Sequence, residues 1–177
     1  QMKTKRIDCI KLNNTVYASI AGIGFDALIA REFAKTKTRG FQPYLKLVLQ
    51  NYPQYKPQNY TLIIDDIEIN TQALFVSFSN SNQFGFDVEI ANNASLCDGL
   101  IDVVIVQKPP LPLLFWTAQL LFWRKFDNSI YVNAYQDKKV TVKSNNPTGV
   151  NLDGEYAEFD TDLTLEIMPD SLNVILP

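Results

Sequence analysis

The sequence has no histidine. That excludes serine or cysteine nucleophiles activated by an imidazole, and every metal site with an imidazole ligand. It has only two cysteines, Cys9 and Cys97, far apart in the chain. They suit a reducing compartment and not a disulfide framework. It has no basic stripe: 16 Lys and Arg stand against 19 Asp and Glu, for a net charge of −3. Nucleic acid is therefore not expected as a partner. The one short basic cluster, Lys35, Lys37 and Arg39, reads equally well as a solvated helix end. No signal peptide is expected at the start. There is no internal repeat, no low-complexity tract and no linker long enough to split the chain, so residues 1–177 read as a single domain.

What remains is a globular sequence. With 177 residues, 46% of them hydrophobic, it can build one real core. Without imidazole, its chemistry must rest on carboxylates, hydroxyls, lysines or a hard cation held by oxygens.

Residues 5–11 and 15–20 read as strands around a turn at Leu12, Asn13 and Asn14. Gly22 and Gly24 break the pattern. Phe25, Leu28, Ile29 and Phe33 then follow at helical spacing. Pro43 opens a second helix whose apolar face is Tyr44, Leu45, Val48, Leu49 and Tyr52, and Pro53 and Pro57 end it. Residues 60–64 and 71–78 read as strands. Gly85 lies between Phe84 and Phe86, and Val88 alternates with Ile90. Residues 103–106 are a continuous apolar strand. Residues 109–126, with Leu113, Leu114, Phe115, Trp116, Leu120, Leu121, Phe122 and Trp123, leave almost no polar face. The run is too short for a bilayer span of about 20 residues, so it is either buried or meets another domain or a membrane surface. Ile130, Val132 and Ala134 alternate, as do Val140 with Val142 and Leu163, Leu165 and Ile167, and residues 172–176 close the chain. The fold expected is mainly β: a β-sandwich with a few helices, of the α+β type.

Three segments combine glycine with acid. Each has a plain structural reading. In Gly22-Ile23-Gly24-Phe25-Asp26-Ala27, Asp26 is a helix-start acid beside free N–H groups; the third glycine of a dinucleotide fingerprint is missing. In Asp98-Gly99-Leu100-Ile101-Asp102, Asp98 can simply bond backbone N–H groups of a tight turn. Asn151-Leu152-Asp153-Gly154-Glu155 reads as a hairpin turn that lets both acids reach solvent or a cleft at little packing cost.

In this order, from the strand at Lys5-Arg6-Ile7-Asp8 to Pro177, these motifs resemble the C-terminal domain of the diacylglycerol kinase family, which includes bacterial lipid kinases and sphingosine kinases. Ser19 stands where that family commonly has Asn, and Asn92 where it often has Pro. The family's nucleotide-binding signature, Gly-Gly-Asp-Gly-Thr, is absent. The resemblance implies a lipid-receiving β-sandwich whose partner is the N-terminal nucleotide-binding domain of the same protein. It implies ATP, bound mainly by that other domain, and Mg²⁺ as cofactors, with a lipid hydroxyl as substrate. Asp153 and Glu155 would sit at the interdomain cleft, one as general base and the other positioning magnesium and phosphate. Asp26 would lie near the lipid head group. Asp98, with the backbone carbonyls of Ser95 and Leu100, would hold a structural divalent cation. A cytoplasmic protein with a peripheral membrane contact, and a homodimer, are compatible with it. The competing expectation is a stand-alone β-sandwich module for a lipid or a carbohydrate, with a divalent-cation turn at Asp98.

Overall fold

The computed structural model describes residues 3–85, 88–122, 126, 129–144 and 146–176. The chain begins with β1 (Lys3–Leu12), β2 (Thr15–Tyr17) and β3 (Ile20–Gly24), then α1 (Phe25–Ala34) and α2 (Phe41–Asn51). β4 (Gln58–Ile64), β5 (Ile67–Ala73) and β6 (Phe75–Ser79) follow, with the short pair β7 (Gln83–Gly85) and β8 (Val88–Glu89), then β9 (Ile101–Val106). The last part holds α3 (Leu111–Phe122), β10 (Val132–Asp137), β11 (Lys139–Lys143), β12 (Thr148–Leu152), β13 (Glu155–Phe159) and β14 (Leu163–Leu176).

Twelve of these strands make two six-stranded sheets. The first has the order β2-β1-β14-β11-β4-β5 and the second β10-β9-β6-β3-β12-β13. Every pairing in both is antiparallel. Alternate residues of a strand face opposite sides. Ile10, Leu62, Val140 and Leu165 of the first sheet therefore meet Ile23, Phe78, Val103 and Val150 of the second in one core. A large-to-small change at Leu165 or Phe78, neither of which has any exposed surface, would cost about 2–5 kcal/mol.

The outer face of the second sheet is covered as well. All six residues of β9 are buried: Val104 and Val106 turn outward and pack with Ile90, Phe126 and Val132. α1 and α2 cover the neighbouring strands through Phe25, Ile29, Tyr52 and Leu74. The expected β-sandwich with a few helices is present.

Several local expectations differ. The strand expected over residues 71–78 is two strands, because the chain passes from the first sheet to the second at Leu74. A continuous apolar run, Ala73 to Val76, carries through that crossing, so the sequence does not show it. The expected strands 163–167 and 172–176 are one 14-residue strand, β14, with a register shift opposite Asp8 where Asp170 takes φ 51°. On α2 the face is rotated. Tyr44, Leu47 and Val48 pack inward with Tyr52, whereas Leu45 and Leu49 are exposed. Ile130 is 85% exposed, so only Val132 of its expected alternation reaches a core. Phe86 and Trp123 lie outside the described residues.

Candidate active site

The site grows from the pairing of β3 with β12, in which Gly22 lies opposite Asn151. At the end of β3 the chain turns sharply into α1 through Gly24, whose φ is 84°. A Cβ there would come within 2.6 Å of the Tyr60 hydroxyl and 2.8 Å of the Leu74 carbonyl oxygen. α1 then folds back over the sheet and sets the Asp26 carboxylate directly on Gly22. A Cβ at that position would be 1.9 Å from Asp26 Oδ2. The two glycines thus have separate steric causes: one makes the turn, the other makes room for a carboxylate.

Asp26 is buried, and its carboxylate accepts a hydrogen bond from Asn151 Nδ2 at 2.9 Å. Burial pushes its pKa up to about 7, against the opposing pull of the Asn151 bond. Tyr44 of α2 is raised too, by burial first and then by the charge of Asp26. The helix-start reading of Asp26 is incomplete, because its partner is a side chain from a strand 125 residues away.

Asn151 also organises the next turn. Its Oδ1 accepts from the Gly154 backbone N–H at 2.9 Å. Asp153 and Gly154 have φ of 48° and 94° between paired Leu152 and Glu155. Such a two-residue loop with both φ positive favours Asp-Gly.

The two acids of this turn behave differently. Glu155 is exposed, and its carboxylate has no hydrogen-bond or ion-pair partner among the described residues. Asp153 departs from the expectation of a freely placed side chain. Its carboxylate accepts from the backbone N–H groups of Ala18, Ser19 and Ile20 at 2.9, 3.0 and 2.8 Å. Its own N–H donates to the Ile20 carbonyl at 2.9 Å. It pins the connection between β2 and β3, and its charge adds to burial in raising the pKa of Tyr17.

The Asp98 turn lies at the same end of the second sheet, because β9 starts beside the end of β6, which in turn pairs with the start of β3. Asp98 is exposed. Its Oδ1 accepts from the Leu100 N–H at 3.1 Å, the plain turn bond, and Gly99 has φ 71°. Ser95 is exposed and Leu100 half-buried. Among the described residues no three acids or cysteines gather into a metal cluster, so a cation here would need backbone carbonyls beside Asp98.

Sequence reasoning overlooked Asp8 as more than a strand residue. This buried carboxylate accepts from the Gly99 N–H at 2.8 Å and from the Asp170 N–H at 2.9 Å. Its own N–H donates to the Leu96 carbonyl at 2.7 Å. An acid between Ile7 and Cys9 in an apolar strand was the available signal. The sequence also gave no hint of a cleft of about 900 Å³ beside α1, at the far end of the β12–β13 hairpin from the Asp153-Gly154 turn. Its walls include Asn59, Asn70, Gln72, Lys143, Asn146 and Glu158.

A Staphylococcus carnosus (strain TM300) protein with the provisional name lipid kinase is 22% identical over 178 residues, covering 98% of this chain and 57% of that protein. The chain thus spans little more than half the length of that relative. A Bacillus anthracis str. Sterne protein provisionally named diacylglycerol kinase has a solved structure that superposes with a TM-score of 0.73 at 18% identity, over 99% of this chain and 57% of that one. A diacylglycerol kinase structure from the same organism gives 0.65 at 13% identity, over 99% and 55%. At these identities the structures speak for the fold. The sequence model of the YegS C-terminal NAD kinase beta sandwich-like domain matches residues 19–176, and the chain belongs to that family.

Proposed function

We propose that the chain is the lipid-receiving domain of an ATP-dependent lipid kinase that phosphorylates a hydroxyl of a diacylglycerol-like lipid. The observation that supports this best is the pair of hydrogen bonds of Asn151, which ties the buried carboxylate of Asp26 to the turn carrying Glu155, whose carboxylate has no partner among the described residues. Asp26 would receive the lipid head group, since a buried carboxylate titrating near neutral pH can accept or donate a hydrogen bond to a hydroxyl. Glu155 would take the proton from the lipid hydroxyl, directly or through water, as the oxygen attacks the γ-phosphorus and ADP leaves. Asp153 would hold the turn and add negative charge near the nucleotide's magnesium. ATP and that Mg²⁺ would be bound mainly by an N-terminal nucleotide-binding domain of the same protein, on the cytoplasmic side where ATP is available.

The Asp98 turn would take a structural divalent cation. Asp98 Oδ2 and the carbonyls of Ser95 and Leu100 would supply oxygen ligands only, which suits Mg²⁺ or Ca²⁺. The test is phosphate transfer from labelled ATP. The two-domain protein should label diacylglycerol and lose that activity in Glu155→Gln, while the chain alone stays inactive. Lipid labelling by the chain alone, or labelling of NAD in place of lipid, would overturn the reading. A stand-alone binding module for a carbohydrate draws support from the polar cleft, and calorimetry of the chain with neutral oligosaccharides separates the two.

A further inference from the structure

Residues 18–20 lead from β2 into β3, and their N–H groups hold the Asp153 carboxylate. Two of their carbonyls are held from the other side by a single residue. Asn80 stands just past the end of β6 and has no exposed surface. Its Nδ2 donates to the Ala18 carbonyl at 2.8 Å, and its backbone N–H donates to the Ser19 carbonyl at 2.8 Å. The second Nδ2 proton goes to the Asp8 carbonyl of β1, also at 2.8 Å. Both partners of Nδ2 are acceptors, which fixes the way round the amide sits. An asparagine that merely shapes a turn uses its Oδ1 as the acceptor. Here Oδ1 is buried and has no hydrogen-bond partner among the described residues, so the residue serves through its donors.

A carbonyl and the N–H of the following residue belong to one peptide group. The Ala18 carbonyl thus shares a peptide with the Ser19 N–H, and the Ser19 carbonyl shares one with the Ile20 N–H. Both of these N–H groups donate to the same atom, Asp153 Oδ1, at 3.0 and 2.8 Å. Two neighbouring peptide groups therefore run from Asn80 to Asp153, bonded at both ends. A donor at the carbonyl end polarises a peptide and strengthens the bond its N–H makes, by roughly 10–30%. The third contact differs. The Ala18 N–H reaches Asp153 Oδ2 at 2.9 Å, but its peptide carbonyl is that of Tyr17, and all three Asn80 protons are already used.

We infer that Asn80 is a positioning residue for the turn that carries Glu155. It acts through two peptide groups on Asp153, which fixes the Asp153-Gly154 loop and hence where the next residue begins. Its hold on the Asp8 carbonyl anchors the amide to β1, so the arrangement has a rigid base. An aspartate at this position would carry no proton for Ala18 or Asp8, and an alanine would keep only the backbone bond to Ser19. The value of this to catalysis rests on the lipid-kinase reading, whereas the path itself is measured on the chain alone.

The experiment is amide exchange and proton chemical shift in Asn80→Ala. That variant removes the donor to Ala18 and leaves the backbone donor to Ser19. The Ser19 N–H should exchange about tenfold faster and move upfield, with the Ala18 and Ile20 N–H groups changing much less. Equal changes at all three, or none at Ser19, overturn the inference, because simple loosening of the connection moves all three together. Should Asn80→Ala fail to fold, Asp153→Asn reads the same path from its other end. The Asn80 Nδ2 and backbone protons should then shift, and unmoved Asn80 protons overturn the inference equally. In the proposed two-domain lipid kinase, Asn80→Ala should lower kcat about tenfold with the KM for ATP unchanged. Parental kcat there overturns the positioning role. A two-domain protein that labels no lipid sinks the kinase reading instead, and the Ser19 exchange still decides whether Asn80 acts on Asp153.

Discussion

The Asn151 amide nitrogen donates to the buried Asp26 carboxylate at 2.9 Å, the one hydrogen bond to that carboxylate among the described residues. A single neutral donor does not offset the loss of water around a charge, which is why the pKa rises from 3.8 to about 7. The folded state therefore keeps its proton where the unfolded chain has lost it. Stability from this group is complete below about pH 4, declines as the pH rises to about 7, and is level above. Asp26→Asn removes this slope. Urea denaturation at several pH values should show the variant gaining on the parent across that window, by up to about 4 kcal/mol. A constant difference would mean that Asp26 is ionised throughout.

Asp153→Asn should destabilise the fold. Three backbone N–H groups converge on the carboxylate, and an amide can accept with one atom only. At least one donor is left without an acceptor, at a cost of about 1–3 kcal/mol. Chemical denaturation of the chain measures it. A variant as stable as the parent would return Asp153 to the role of a freely placed acid.

Glu155→Gln should leave stability within roughly 0.5 kcal/mol, because its side chain is exposed and has no partner among the described residues. If the chain is part of a two-domain lipid kinase as proposed, the same change should lower the kcat of that protein by about 10²–10⁴-fold. The contrast between these neighbouring acids separates holding the turn from taking the proton.

At the Asp98 turn, Mg²⁺ should raise the melting temperature of the parent and not of Asp98→Ala, because a ion bound only by the folded state stabilises it. Asp8→Ala should cost about 2–4 kcal/mol whether or not the ion is present, since it leaves the Gly99 and Asp170 N–H groups without their charged acceptor. Equal melting of parent and Asp98→Ala in Mg²⁺ would leave Asp98 as a turn residue alone.

Much of the β framework was legible because strand periodicity is local. Leu163, Leu165 and Val140 point inward where alternation places them. The Asp98-Gly99 and Asp153-Gly154 turns announced themselves by residue type. What escaped was long-range. Nothing local shows that Asn151 reaches Asp26, that Asp8 holds Gly99, or that Leu45 and Leu49 lie on the open side of α2. Helical spacing defines an apolar stripe but not how far neighbouring segments cover it, and here Tyr44 and Val48 took the covered half.

Leu74 is the joint at which the chain leaves one sheet for the other. Its N–H donates to the Val106 carbonyl at 2.7 Å, and its carbonyl accepts from Phe25 N–H at 3.0 Å, at the start of α1. The leucine side chain is itself buried among α1 and α2. The two sheets therefore cannot slide past each other without dragging the first turn of α1, and with it Asp26. A neighbouring domain that closes on this one would meet a single stiff block, and any hinge must lie outside it.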